Sequence, residues 1–300
     1  MHAAQVISTT RDRVGESPVW SVAEQALYWV DIEAPHIHRL DWATRAQQTW
    51  ELTERVGCIA LSTRGTVIAA METGIFEVEL QAPPAVCVTR LARVAHAQAG
   101  MRFNDGRCDA HGRLWVGTMV RDMALASPAG GIYGLDAQGL RGPVLHGYIT
   151  PNGMAFSPDG RTAYLSDSHP SVQKIWSHTF DAASGSWGPK VEWVDMKPLP
   201  GRPDGAAVDT EGCYWICGND AGVVHRFSPS GALLQSIPVP MSKPAMCAFG
   251  GPELRHLFVT SIQPASPVAG FDATLDGAVL VLEPGVQGLP EPLFSRFPVR

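Results

Sequence analysis

Short runs in which apolar residues alternate with polar ones, or fill every position, return along this chain at a nearly constant interval. "QALYWVDI" (25–32), "GTVIAAME" (65–72), "GRLWVGTM" (112–119), "GRTAYLSD" (160–167), "GCYWICGN" (212–219) and "LRHLFVTS" (254–261) share one pattern. Each follows a turn and is rich in aromatic and β-branched residues, as buried strands are. Successive copies lie roughly 40–50 residues apart, the period of propeller blades. A second alternating run follows each copy: "IHRLDW" (37–42), "IFEVEL" (75–80), "IYGLDA" (132–137), "IWSHTF" (175–180), "VVHRFS" (223–228) and "AVLVLE" (278–283). A third precedes each copy: "ESPVWS" (16–21), "GCIALS" (57–62), "NDGRCD" (104–109), "NGMAFS" (152–157), "DGAAVD" (204–209) and "AMCAFG" (245–250). Linking runs such as "PVLHGYIT" (143–150) and "LLQSIPVP" (233–240) supply a fourth strand, and "SPDG" and "SPSG" supply turns. No stretch of comparable length has a capped apolar period of 3.6 residues. The pattern predicts an all-β fold, a six-bladed β-propeller with four-stranded antiparallel blades, filling residues 1–300 as a single domain. It also predicts that the two chain ends, "AAQVIST" and "PLFSRFPV", pair in the last blade and remove an exposed edge.

Composition narrows the partners. Hydrophobic residues make up 45% and charged residues 17% of 300, an ordinary globular balance. The formal net charge is −6 and no Lys/Arg cluster occurs, which argues against a nucleic-acid partner. No apolar run approaches the ~18–20 residues that cross a bilayer, so no membrane partner is expected. The opening "MHAAQVISTTRDRVG" lacks the apolar core of a signal peptide, and a cytoplasmic location is the expectation. Cysteines 58, 87, 108, 213, 217 and 247 form no CxxC and no zinc-finger spacing, so they read as reduced structural residues.

Candidate chemistry comes from stacking the innermost runs. In a propeller the first strand of each blade lines the central channel, so equivalent positions form a ring. The first positions are Glu16, Gly57, Asn104, Asn152, Asp204 and Ala245. Four carry oxygen donors, and the other two have no side chain large enough to crowd the centre. Asp-Gly and Asn-Gly are ordinary turn pairs, but a turn does not require one register in four blades, and Glu16 precedes Ser. Two carboxylates and two amides converging on one axis suit a hard divalent cation, with water completing the shell. Arg102 lies two residues before Asn104, so strand alternation sends both side chains to one face. The alternative for Arg102 is an ion pair with Asp105 or Asp109.

"GESPVW", "RFNDGRCDAHGRLWVGTM", "TPNGMAFSPDG", "RPDGAAVDTEGCYWICGN" and "CAFGG" follow one another along nearly the whole chain. In that order they resemble the senescence marker protein/regucalcin/gluconolactonase family. The resemblance implies a six-bladed propeller with one divalent metal ion in its channel, and hydrolysis of small sugar lactones such as gluconolactone or pentonolactones. Carried over position by position, it implies Glu16, Asn152 and Asp204 as metal ligands. It also implies Asn104 and Arg102 as substrate contacts and Asp204 as candidate general base. Two departures stand out. "VRDM" follows "GTM" where many relatives place an acidic residue, which leaves Asp122 as a loose substrate contact, and "KPAM" precedes "CAFGG".

A lactone is a cyclic ester whose hydrolysis passes through an oxyanion that a metal ion stabilises. A carboxylate bound to a cation stays ionised but is weakened as a base. Sequence therefore leaves Asp204 as either base or ligand. The ion is left equally open among Ca²⁺, Mg²⁺, Mn²⁺, Zn²⁺ and Fe²⁺. Other chemistries lack their signatures: there is no GxSxG, and "GGIYGLD" opens no helix. His96, His111, His169 and His225 are scattered among different runs, and Trp29, Trp115 and Trp215 occupy core positions of the repeat. Two competing functions remain. One is a non-catalytic calcium-binding propeller of regucalcin type, the other an esterase or organophosphate hydrolase on the same scaffold. A closed propeller is compatible with a monomer.

Overall fold

A computed structural model describes residues 4–296. Among them the chain forms six four-stranded antiparallel sheets. Their innermost strands are Gly15–Ser21, Val56–Leu61, Met101–Cys108, Pro151–Phe156, Arg202–Val208 and Pro244–Gly250. These pack side by side in a closed circle, with Gly15–Ser21 touching both Val56–Leu61 and Pro244–Gly250. The all-β, six-bladed propeller read from the alternation is the fold observed. No helix among the described residues is long and apolar enough to cross a membrane.

Both faces of each inner blade are covered by neighbouring blades, which is why so many inner strands read as near-continuous apolar runs. The core is accordingly divided into six clusters, each at an interface between adjacent blades. Trp29, Trp115 and Trp215 are fully buried in three of them. Each indole N–H donates to a buried carboxylate, that of Asp12, Asp109 or Asp209. A large apolar side chain is thus buried with its one polar atom satisfied. Of the six cysteines, all are free and only Cys87 is exposed.

The ends of the chain meet the expectation only in part. Gln5–Val6 does enter the last blade, pairing with Leu280–Leu282 in the register Gln5↔Val281 and Val6↔Leu280. The C-terminal segment does not join it. Gly288 bridges Asp209 in the fifth blade and Phe294 bridges Ser62 in the second, so the segment lies across the ends of the inner strands. Residues 297–300, which include the last three residues of "PLFSRFPV", fall outside the described residues. The reason is physical: the N-terminal strand already occupies the free edge of the last blade. Pro290 and Pro292, with no N–H to give a ladder, suit a strap better than a strand.

Candidate active site

Every inner strand carries a register shift just past its first residues, between Glu16 and Val19, Val56 and Cys58, Phe103 and Gly106, Asn152 and Ala155, Pro203 and Ala206, and Pro244 and Cys247. A bulge bends the strand and re-aims the side chain beside it. The aligned positions of the repeat therefore fall at one channel mouth, each next to a bulge. The glycines of the Asn-Gly and Asp-Gly pairs are required by that geometry. Gly153 has φ +62°, and a Cβ at Gly205 would run into Met246, within 2.7 Å of its Cα.

Glu16, Asn104, Asn152 and Asp204 are all buried. Asn104 Nδ2 donates to Asn152 Oδ1 at 3.0 Å and to the Pro151 carbonyl at 3.0 Å. Asn152 Nδ2 donates to Ser168 Oγ at 2.6 Å, and Ser168 in turn donates to the carbonyl of Pro203, next to Asp204. Asn219 Nδ2 donates to Asp204 Oδ2 at 2.6 Å, and the Ser17 N–H to Glu16 Oε2 at 3.0 Å. Each carboxylate thus has one oxygen fixed by the protein. The other, Glu16 Oε1 or Asp204 Oδ1, accepts no hydrogen bond from a described residue.

Burial raises both acids. Glu16 is pushed well above the usual carboxylate range by loss of water, then by the nearby charges of Asp204 and Asp105. Asp204 is pushed up to about 7, again chiefly by burial, although Arg202 and the Asn219 hydrogen bond oppose the shift. Asp105, whose Oδ1 is buried without a partner, is raised by burial too. Two buried carboxylates that repel each other, each with an unclaimed oxygen, form a set that a divalent cation would relieve. The donor set is mixed: among the described residues no three His, Cys, Asp or Glu side chains gather into a metal cluster. The amide oxygen of Asn152 would supply the third protein ligand. Asn104 is turned differently, since its Oδ1 accepts from Arg102 NH1 at 2.6 Å.

Arg102 has no carboxylate within ion-pair distance among the described residues; its other bond is to the Phe103 carbonyl at 2.8 Å. Asp109 pairs with Arg113 instead. Burial pulls the Arg102 guanidinium down; Glu33 and Glu16 oppose this, while Arg121 and Arg55 add to it. Asp122 stands exposed at the rim, where its carboxylate caps a single 3₁₀ turn by accepting from Ala124 N at 3.1 Å. It makes no hydrogen bond to the ring. His96, His169 and His225 are engaged by backbone carbonyls of Glu72, Met123 and Pro200.

Ser168, Asn219 and Asp105 are the polar neighbours that sequence reasoning gave no role at the ring. A signal was available for two of them. "LSDS" and "CGND" end their strands on polar residues, and the register sets Ser166 opposite Asn152 and Asn219 opposite Arg202.

A family model described as "SMP-30/Gluconolactonase/LRE-like region" matches residues 14–263, a span holding every ring residue. The 6-deoxy-6-sulfogluconolactonase of Pseudomonas putida is 39% identical over 288 residues, covering 94% of this chain and 95% of its own. A pentonolactonase of Haloferax volcanii is 31% identical over 296 residues, covering 97% of both. Among solved structures, the calcium-binding protein regucalcin of Agrobacterium tumefaciens superposes with a TM-score of 0.87 at 28% identity, over 98% of each chain.

Proposed function

Because the chain belongs to the SMP-30/gluconolactonase/LRE-like family, we propose that it is a lactonase that opens small sugar lactones at the channel mouth, with one divalent metal ion held by Glu16, Asn152 and Asp204. Two similar proteins are named for sugar lactones, one sulfonated and one a pentonolactone. The observation that carries the reading is the pair of buried acids, each with one oxygen fixed and one unclaimed, beside an arginine that lacks a carboxylate partner. A cation held by these residues would supply positive charge beside the lactone carbonyl, where negative charge develops during hydrolysis.

The chain's own groups do the rest. Arg102 presents its Nε and NH2 hydrogens, unclaimed by any described residue, to the substrate's oxygens and fixes its orientation. Asp204, deprotonated, takes a proton from the attacking water as the O–C bond forms at the carbonyl carbon. The ring C–O bond then breaks, its oxygen recovers a proton, and the product leaves as an open-chain hydroxy acid. Asn219 keeps the Asp204 carboxylate in one orientation, and Ser168 does the same for the Asn152 amide. An ion-buffering propeller would have no use for an uncommitted arginine beside the site, which favours catalysis over a purely calcium-binding role.

The two carboxylates separate in the test. Asp204→Asn is expected to lower kcat by ~10²–10⁴-fold, the scale of a lost general base, even in excess metal. Glu16→Gln removes the other charge and is expected to recover much of its rate as metal is added. Full recovery of Asp204→Asn by metal would reduce Asp204 to a ligand. Wild-type rate in both variants would overturn the site.

A further inference from the structure

The rim beside Arg102 departs from a plain sugar-binding surface. In the ladder of the third blade Arg102 pairs with Met119, and the Arg121 N–H continues it to Gly100 O at 2.9 Å. Arg121 is two residues past Met119 and so lies on the same side as Arg102, as its diagonal neighbour across the ladder. A third guanidinium, that of Arg55, enters from the second blade. Arg55 NH1 and Arg121 NH1 approach the same oxygen, Glu72 Oε1, at 3.2 Å and 3.4 Å. The Nε of Arg55 binds Glu33 Oε2 at 2.9 Å.

Glu33 and Glu72 therefore hold the guanidinium groups of Arg55 and Arg121, with Glu72 shared between the two, while Arg102 has no carboxylate partner among the described residues. Neither Nε nor NH2 of either residue bonds a described residue. Asp122, the next carboxylate along the chain, is turned to its own 3₁₀ turn. Arg102 adjoins the ring through Asn104, whereas Arg121 stands further out with a side chain 42% exposed. A lactone whose carbonyl faces the ring would direct its far end toward Arg121.

We propose that the lactone accepted here carries an anionic substituent, a sulfonate or a phosphate, at the end remote from its carbonyl, and that Arg121 binds that group with Arg102 beside it. This rests on the lactonase reading above. Guanidinium groups bind tetrahedral oxyanions through paired N–H donors, more strongly than they bind a neutral hydroxyl. A carboxylate in place of Arg121 would repel such a substrate.

The test compares kcat/KM for a sulfonated aldonolactone, its phosphorylated counterpart and the neutral parent lactone. For the wild type the better of the two anionic substrates is expected to exceed the neutral one at least ~10-fold, and the difference should shrink as salt is added. Arg121→Gln is expected to lower the anionic-to-neutral ratio by ~10–100-fold, chiefly through KM, as loss of a charge-assisted hydrogen bond does. Arg121→Glu should favour the neutral lactone outright. Whichever anionic substrate leads identifies the substituent. A wild type that opens the neutral lactone with no preference for either anionic one overturns this inference and leaves the lactonase reading standing. A wild type that opens none of the three overturns both.

Discussion

Asp204 shows how one residue's surroundings set both its function and its cost. An unfolded aspartate titrates near ~3.9, whereas burial pushes Asp204 up to about 7 in the fold. Between those values the folded chain holds a proton that the unfolded chain has lost, so this group makes stability fall as pH rises from about 4 through about 7. His178 and His225, lowered by burial, contribute the opposite slope below ~6.5. A comparison with Asp204→Asn isolates the aspartate. In metal-free protein the variant is expected to be more stable than the wild type at pH 8, by on the order of a few kcal/mol, and nearly equal to it at pH 4. Denaturant melts of both proteins in chelator at the two pH values measure this, and an unchanged difference would mean that Asp204 carries no burial penalty. The aspartate itself was legible in the sequence because its register recurs in four blades. Asn219 and Ser168 were not, since a strand-end amide or hydroxyl acquires its partner only when neighbouring strands align.

At the scale of the strand, alternation sufficed to place three strands in each blade, because a sheet covered on both faces has to be apolar where neighbours meet it. The bulges were invisible, because a register shift belongs to a pair of strands and no single run records it. Their trace in the sequence is the glycine after Asn104–Asp105, Asn152 and Asp204. At Gly205 the constraint is steric, since a Cβ would meet the Cβ and Cγ of Met246 on the adjoining inner strand. Gly205→Ala is expected to cost about 1–3 kcal/mol, the scale of overpacking a close-packed site. By moving the bulge it should also weaken metal binding at Asp204. Denaturant midpoints and a metal titration on the same variant report the two effects. A variant as stable and as tight in metal binding as the wild type would show that the strands have slack there.

Across the whole molecule, the two mouths of the channel are treated differently. Ring residues line one, while the strap of residues 286–296 crosses the other, bonded to Thr210, Leu254 and Thr63. From it Glu291 reaches the guanidinium of Arg107, with the two side chains only 13% and 10% exposed. Glu291→Gln would leave Arg107 without its counter-charge, and a loss of about 3 kcal/mol in unfolding free energy is expected, the scale for breaking a buried pair. KM for the lactone should stay near its wild-type value, because the strap is remote from the ring. The strap escaped the sequence reading because its aromatic and apolar pattern, "PLFSRFPV", imitates a strand; only the edge already filled by Gln5–Val6 rules that out. The most direct test of the account is acid release at constant pH by the whole chain acting on a panel of aldonolactones, measured with chelator and again after divalent ions are restored. The expected result is hydrolysis far above the spontaneous rate, lost on chelation and regained with metal. A chain that opens no lactone, or opens one equally well in chelator, would contradict it.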